Sequence, residues 1–161
     1  MRMWLSRLFT HEEINGGNRC PTYLHRWTIF QPRRPRWLWR GFGIYLHQFV
    51  GDDWSRDLHD HPKRFVSIGL RGGYIEYTPA TIQTDHRRTD SRRYHAPWLR
   101  TFPAEHIHRI TLLPDRRPCW TLVVVLWHVR EWGFWSRGQW IFWREYVAPE
   151  NAVANARKAC Q

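Results

Sequence analysis

The sequence predicts an all-β domain, a sandwich or a barrel, and three observations carry that expectation. Six segments (22–30, 37–50, 64–70, 74–78, 106–113 and 119–129) are rich in aromatic and β-branched residues, which suit a pleated, half-buried surface. Between them lie Gln31-Pro32-Arg33-Arg34-Pro35, Arg71-Gly72-Gly73, a polar stretch over 84–97, and Pro114-Asp115-Arg116-Arg117-Pro118, each with Pro, Gly or Asp where a turn needs it. No long 3.6-residue hydrophobic period interrupts this spacing.

Taken in order, residues 1–21 form an N-terminal extension, with a short amphipathic helix expected before the turn signal Asn15-Gly16-Gly17-Asn18. The barrel occupies 22–147. Within it, residues 119–129 are almost entirely apolar, as expected of a central strand covered on both faces. Residues 84–97 read as a loop whose segment 85–94 alternates acid and base; a lid with Tyr94 and His95 reaching inward is the alternative. Residues 130–135 read as a strand end packing aromatics on the flank. Residues 148–161 form a tail, helical or frayed. With 161 residues the chain suffices for one cored domain, and no boundary is visible inside it.

Composition narrows the classes further. A hydrophobic share of 42% is that of a globular chain rather than a disordered one, and 12 tryptophans suit a compact β core with a wet rim. The formal charge of +11 is carried by arginine, since Lys63 and Lys158 are the only lysines. Such a field favours acidic or phosphate-bearing partners, but no basic run reaches five residues, so a generally arginine-rich composition is the preferred explanation. Cys20, Cys119 and Cys160 contain no CxxC, and Cys119 reads as a small core hydrophobe. No signal-peptide pattern and no stretch of 18 apolar residues occurs, so the expectation is a cytoplasmic protein with no membrane partner.

The chemistry concentrates in Asp57-Leu58-His59-Asp60-His61-Pro62. Histidines at i and i+2 on a strand send both imidazoles to one face, close enough to share an ion. A pair alone makes a poor site, and a third ligand must come from elsewhere.

The surroundings of that pair resemble the cupin superfamily. Cupin motif 1 has the form G-x5-H-x-H-x3-4-E-x6-G; counted from His61, its closing glycine falls on Gly72. Motif 2, G-x5-P-x-G-x2-H-x3-N, is matched by Pro103 and His108 at the right spacing. The string from Leu58 to Glu76 is also similar to small cupin-like proteins of bacteria and phages, a likeness that brings no reaction with it. The resemblance covers roughly residues 40–130, and it implies a double-stranded β-helix (jelly-roll) barrel with short terminal helices and His108 as third ligand. Phe65 stands at the motif-1 glutamate, Glu105 at a glycine and Leu112 at the final asparagine. The resemblance therefore implies a three-histidine site, His59, His61 and His108, of the kind the thiol dioxygenases use.

Parity extends the site. His59, His61, Phe65, Ser67 and Gly69 alternate together, so Phe65 is expected as an apolar wall beside the ion. If Arg71-Gly72 or Gly72-Gly73 forms a two-residue hairpin turn, Glu76 pairs across from Ser67 or Gly69 and points inward too. There it serves as a fourth ligand, an acceptor for a histidine N–H, or a general base, and it is the candidate catalytic residue. His106 is expected at the cavity mouth; His47 and His25 read as packing or surface residues.

The function expected is a metal-dependent small-molecule enzyme, a dioxygenase or an isomerase, with one divalent ion. Fe(II) is favoured over Ni, Mn or Zn, and a small anionic substrate is expected. The cupin resemblance implies a homodimer. The alternatives are a non-catalytic cupin module, such as a phage-encoded structural or host-interacting protein, and an Arg/Trp-rich nucleic-acid binder.

Overall fold

A computed structural model describes residues 6–7, 9–15, 21–32, 41–55, 57–80 and 89–148, with backbone only at 6–7. Thirteen strands and one helical turn follow in chain order: β1 (Ser6–Arg7), β2 (Thr10–Asn15), β3 (Thr22–Pro32), β4 (Gly43–Phe49), β5 (Leu58–His59), β6 (Lys63–Arg71), β7 (Gly73–Pro79), β8 (Thr89–His95), β9 (Trp98–Phe102), β10 (Arg109–Leu112), β11 (Cys119–His128), β12 (Gly133–Ser136), β13 (Gln139–Phe142) and α1 (Trp143–Tyr146). The wide sheet runs β1-β3-β4-β11-β6-β9, with β2 also on β3. Two three-stranded sheets, β10-β7-β8 and β13-β12-β5, make up the other side. A bridge between His59 and His108 joins those two into one face. The fold is an all-β barrel of two facing sheets, the jelly-roll architecture expected of the sequence.

The strongest sequence signals became the central elements. Strand β11 pairs with β4 on one edge and β6 on the other. Its burial alternates, with Cys119, Thr121 and Val123 inward and Trp120, Leu122 and Val124 half-covered, so one face only is fully buried, not both. Cys119 is a free, fully buried core residue packed with Tyr74, Ile110 and Leu112. In the same alternation, the inner face of the wide sheet carries Tyr45 and His47 from β4 and Ser67 from β6.

Three expectations change. Residues 10–15 form a strand rather than part of a helix; exposed on nearly every residue, β2 lacks the apolar stripe a helix would bury and gains its backbone partners from β3. The stretch read as a loop or lid contains β8 instead, and neither Tyr94 nor His95 lines the central cavity. Tyr94 packs against Tyr74 and Trp98, and its ring lies under the Arg100 guanidinium, 3.8 Å from the centroid. The aromatic flank at 130–135 is the start of a hairpin, β12-β13. The tail expected over 148–161 lies outside the described residues beyond Ala148.

The hairpin expected at Gly72 is a sheet crossing. Strand β6 pairs with β11 and β9, whereas β7 pairs with β10 and β8, so the chain turns from one sheet into the other at Gly72. Gly72 sits at φ 76°, and a Cβ there would strike the Pro118 carbonyl. Both constraints select glycine. Gly72→Ala is expected to lower stability by about 2 kcal/mol or more, read as a lower urea midpoint. An unchanged midpoint would show that the crossing tolerates a side chain.

Candidate metal centre

The three expected ligands converge. His59 and His108 exchange both backbone hydrogen bonds, His59 N–H to the His108 carbonyl at 2.8 Å and His108 N–H to the His59 carbonyl at 2.9 Å. His61 N–H binds the Ala104 carbonyl at 3.0 Å, drawing the second histidine toward the segment that leads to His108. Ring centroids are then 5.2 Å apart for His59 and His61, 5.1 Å for His59 and His108, and 5.0 Å for His61 and His108, a near-equilateral triangle. One ligand nitrogen from each lies within 4.8 Å of the others.

Asp60, between the two histidines, faces the opposite way and is 1% exposed. Its carboxylate accepts from Gly133 N–H at 2.8 Å, Arg130 Nη1 at 3.0 Å and Trp140 Nε1 at 3.0 Å. A buried charge with three donors is satisfied, and it ties the His-Asp-His segment to β12-β13. His108 is fixed from its other side. Among the described residues no strand pairs with the free edge of β10; Ile110 N–H donates to Asp53 Oδ2 at 2.7 Å and Leu112 N–H to Asp52 Oδ1 at 2.8 Å. Two carboxylates thus complete the strand that begins next to the ligand.

Glu76 is buried behind His108. Its Oε1 lies 2.8 Å from His108 Nδ1 and 2.9 Å from His106 Nε2, and Oε2 accepts from Arg100 Nη2 at 2.6 Å. Burial alone would raise this carboxyl, but the hydrogen bonds from His106, His108 and Arg100 outweigh it and hold the pKa below the usual range. An ionised carboxylate only accepts, so both histidine nitrogens facing it carry protons. His108 is therefore the Nδ1–H tautomer, with the Nε2 lone pair directed at His61, whose Nε2 is 2.8 Å away.

That arrangement fits a metal ion. Two nitrogens bound to one ion at about 2.1 Å and at right angles lie about 3 Å apart, close to the 2.8 Å observed. His59 Nδ1 is a buried nitrogen without a hydrogen-bond partner. Burial pushes His59 and His108 down to about 4 and His61 well below its ordinary value, so all three are neutral, as ligation requires.

The triad opens on a cavity of about 410 Å3 between the sheets. Its lining includes Phe65, Ser67, Phe102, Thr121 and Val123, and Phe65 meets His61 edge-on with centroids 4.9 Å apart. Glu76 and His106 are not part of that lining. Glu76 is buried as parity suggested, but its cross-strand partner is Ile110, not Ser67 or Gly69, and His106 packs on Glu76 rather than at the cavity mouth. His47 does line the cavity, accepting from Arg26 Nε at 3.2 Å. His25 lies on the hairpin β2-β3, where His11, Glu13 and His25 form a partly exposed cluster. Sequence reading gave no role to Asp53, a cavity carboxyl whose pKa burial raises to about 6 against the lowering effect of the Ile110 amide. Its signal was the Gly51-Asp52-Asp53 turn: adjacent acids inside a β barrel have to find donors.

No family model matches the sequence, and no curated protein does. Solved structures match at the level of fold. An Fe(II) HppE structure in complex with substrate has a TM-score of 0.56 at 9% identity, over 73% of this chain and 56% of that one. Hydroxypropylphosphonic acid epoxidase from S. wedmorenis gives 0.52 at 8%, over 72% of this chain and 55% of that one. The chain thus spans just over half the length of these proteins, and identity so low shows a shared fold alone. Among the described residues, no helix is long and apolar enough to cross a membrane.

The buried imidazoles make the metal-free protein acid-sensitive. Unfolded histidines take up protons near pH 6.5, while folded His59 and His108 refuse them until about 4 and His47 is likewise held low by burial and Arg26. Their stabilisation is complete above pH 6.5 and lost as pH falls toward 4, on the order of 3 kcal/mol each for His59 and His108. Asp53 opposes this, since a carboxyl raised from 3.8 to about 6 favours folding at low pH. The urea midpoint of chelator-treated protein is expected to decline from pH 7 to pH 5, and less steeply in His47→Gln. A flat profile would contradict neutral, buried imidazoles.

Proposed function

We propose that the protein is a metal-dependent enzyme in which His59, His61 and His108 hold one divalent ion and a small molecule reacts in the adjoining cavity. The observation that carries this reading is the 2.8 Å contact of Glu76 Oε1 with His108 Nδ1: an ionised Glu76 accepts from Nδ1–H and leaves Nε2 for an ion beside His61. Fe(II) is the first ion to test, because the Fe(II) HppE structures share this fold. An ion held by His59, His61 and His108 would supply Lewis-acid or O2-activating chemistry to a small molecule in the cavity, and a dioxygenase is the favoured class.

The chain's own residues supply the rest. Phe65, Phe102 and Val123 keep the cavity beside the triad apolar and exclude water. Both oxygens of Glu76 are engaged outside the cavity, so in this reading it positions His108. The proton-moving role expected of Glu76 passes to Asp53, which lines the cavity itself.

The test is metal content. Wild type, His108→Ala, Glu76→Gln and His25→Ala are purified side by side and titrated with Fe(II), Ni(II), Mn(II) and Zn(II). His108→Ala is expected to lose one equivalent, and Glu76→Gln to keep it with about 10–100-fold weaker affinity. His25→Ala subtracts whatever the outer cluster binds. A wild type that takes up none of the four ions would overturn the reading.

A further inference from the structure

The same cavity holds two cations that no salt bridge among the described residues neutralises, and its carboxyl, Asp53, is bound to the Ile110 amide. Arg26 and Lys63 both line it, and both are half-buried. Among the described residues neither forms a salt bridge; the partners are His47 Nε2 for Arg26 Nε, at 3.2 Å, and the Gly41 carbonyl for Lys63 Nζ, at 3.0 Å. A neutral imidazole and a peptide oxygen supply no counter-charge, and the Tyr45 ring, 5.5 Å from the Arg26 guanidinium carbon, offers the cation only its face. The two cations also feel one another, since Arg26 adds to the burial that lowers the Lys63 pKa. The Lys63 ammonium packs on Gly41, where a Cβ would lie 2.9 Å from Nζ. Two like charges retained in one cavity oppose folding, and the compensation they lack is an anion.

The wall beside them is prepared for a polar guest. Thr121 is 1% exposed, lines the cavity, and its Oγ1 is buried with no hydrogen-bond partner. Ser67, from the neighbouring strand, is buried on the same wall. His47 accepts from Arg26 through Nε2, which puts its own proton on Nδ1 and fixes the guanidinium by one edge. A guanidinium held at Nε presents its remaining N–H groups as a fork, the geometry that takes an oxyanion by two hydrogen bonds.

We propose that Arg26 and Lys63 form an anion subsite of this cavity, so that the substrate is a small organic acid whose carboxylate, phosphonate or phosphate head they hold. As a substrate assignment this rests on the metal-dependent reading above; as a binding site it stands on the two cations and the orphaned hydroxyl alone. The acid bridges the cavity, its head on the cations and its reactive end toward the three histidines.

The test is calorimetric titration of inorganic phosphate, and of acetate as the carboxylate probe, into wild type, Arg26→Gln, Lys63→Met, Arg117→Gln and His108→Ala at low salt. Saturable binding of one anion is expected in wild type, at least tenfold weaker in Arg26→Gln and in Lys63→Met. Arg117→Gln removes one charge from an exposed turn, and unchanged binding there separates the subsite from the general field of a +11 chain. Bound phosphate should also raise the thermal midpoint of wild type and not that of Arg26→Gln, which shows in the same measurement that the variant folds. Persistence of binding in His108→Ala would keep the subsite even if metal uptake failed. Binding that survives Arg26→Gln and Lys63→Met but disappears in His108→Ala would place the anion on the metal and overturn the proposal, as would the absence of saturable binding in wild type.

Discussion

The reciprocal backbone hydrogen bonds between His59 and His108 are the constraint on which the rest depends. They are one isolated pair, yet they join two three-stranded sheets into the second face of the barrel. The same pair sets two candidate ligands from sequence positions 49 residues apart side by side at centroids 5.1 Å apart. Closing the barrel and assembling the centre are therefore one event. A hydrogen-bonded antiparallel pair admits no slip without turning both imidazoles to the other face, so the site inherits the register of the fold. Asp60 and Asp53 hold the pair from either side with charge-assisted bonds to backbone amides, which give geometric precision at little entropic cost.

Electrostatics divide the interior into two regimes. Around Glu76 the charges are matched: one buried carboxylate meets Arg100 and two imidazole N–H groups, and the network fixes a tautomer rather than a net charge. Across the cavity Arg26 and Lys63 face neutral hydrogen-bond partners, and the cavity carboxyl Asp53 is taken by the Ile110 amide. Matched charge is what positions ligands, and unmatched charge is what recruits them.

The sequence carried the inner core of this arrangement and lost its periphery for identifiable reasons. Spacing within His59-Asp60-His61 and the distance from Pro103 to His108 are local quantities, so the triad could be read directly. Glu76 came out buried through a turn that does not exist: Gly72 sends the chain into another sheet, and alternation survived because a strand keeps its parity whichever neighbour it pairs with. Strand β8 was illegible because its face is exposed on almost every residue, leaving no hydrophobic alternation to detect. The roles of Asp53, Asp52 and Asp60 depend on backbone donors 57, 60 and 73 residues away, which no local pattern encodes.

The inner face of the wide sheet is where the polar pattern departs most from what folding alone would choose. Strands β3, β4, β6 and β11 are β-branched and aromatic, and their inward positions would be filled most stably by Val, Ile and Phe. Instead Thr28, His47, Ser67 and Thr121 are buried there, within a face that also carries Arg26 and Lys63. A threonine with an orphaned hydroxyl costs about 1–3 kcal/mol that a valine of the same shape would not. Sequences that specify a fold obey local rules nearly everywhere, and the breaches gather where a ligand must be met. Here they gather in one cavity, beside three neutral imidazoles, and the polarity that weakens the barrel is what a bound acid and its metal would complete.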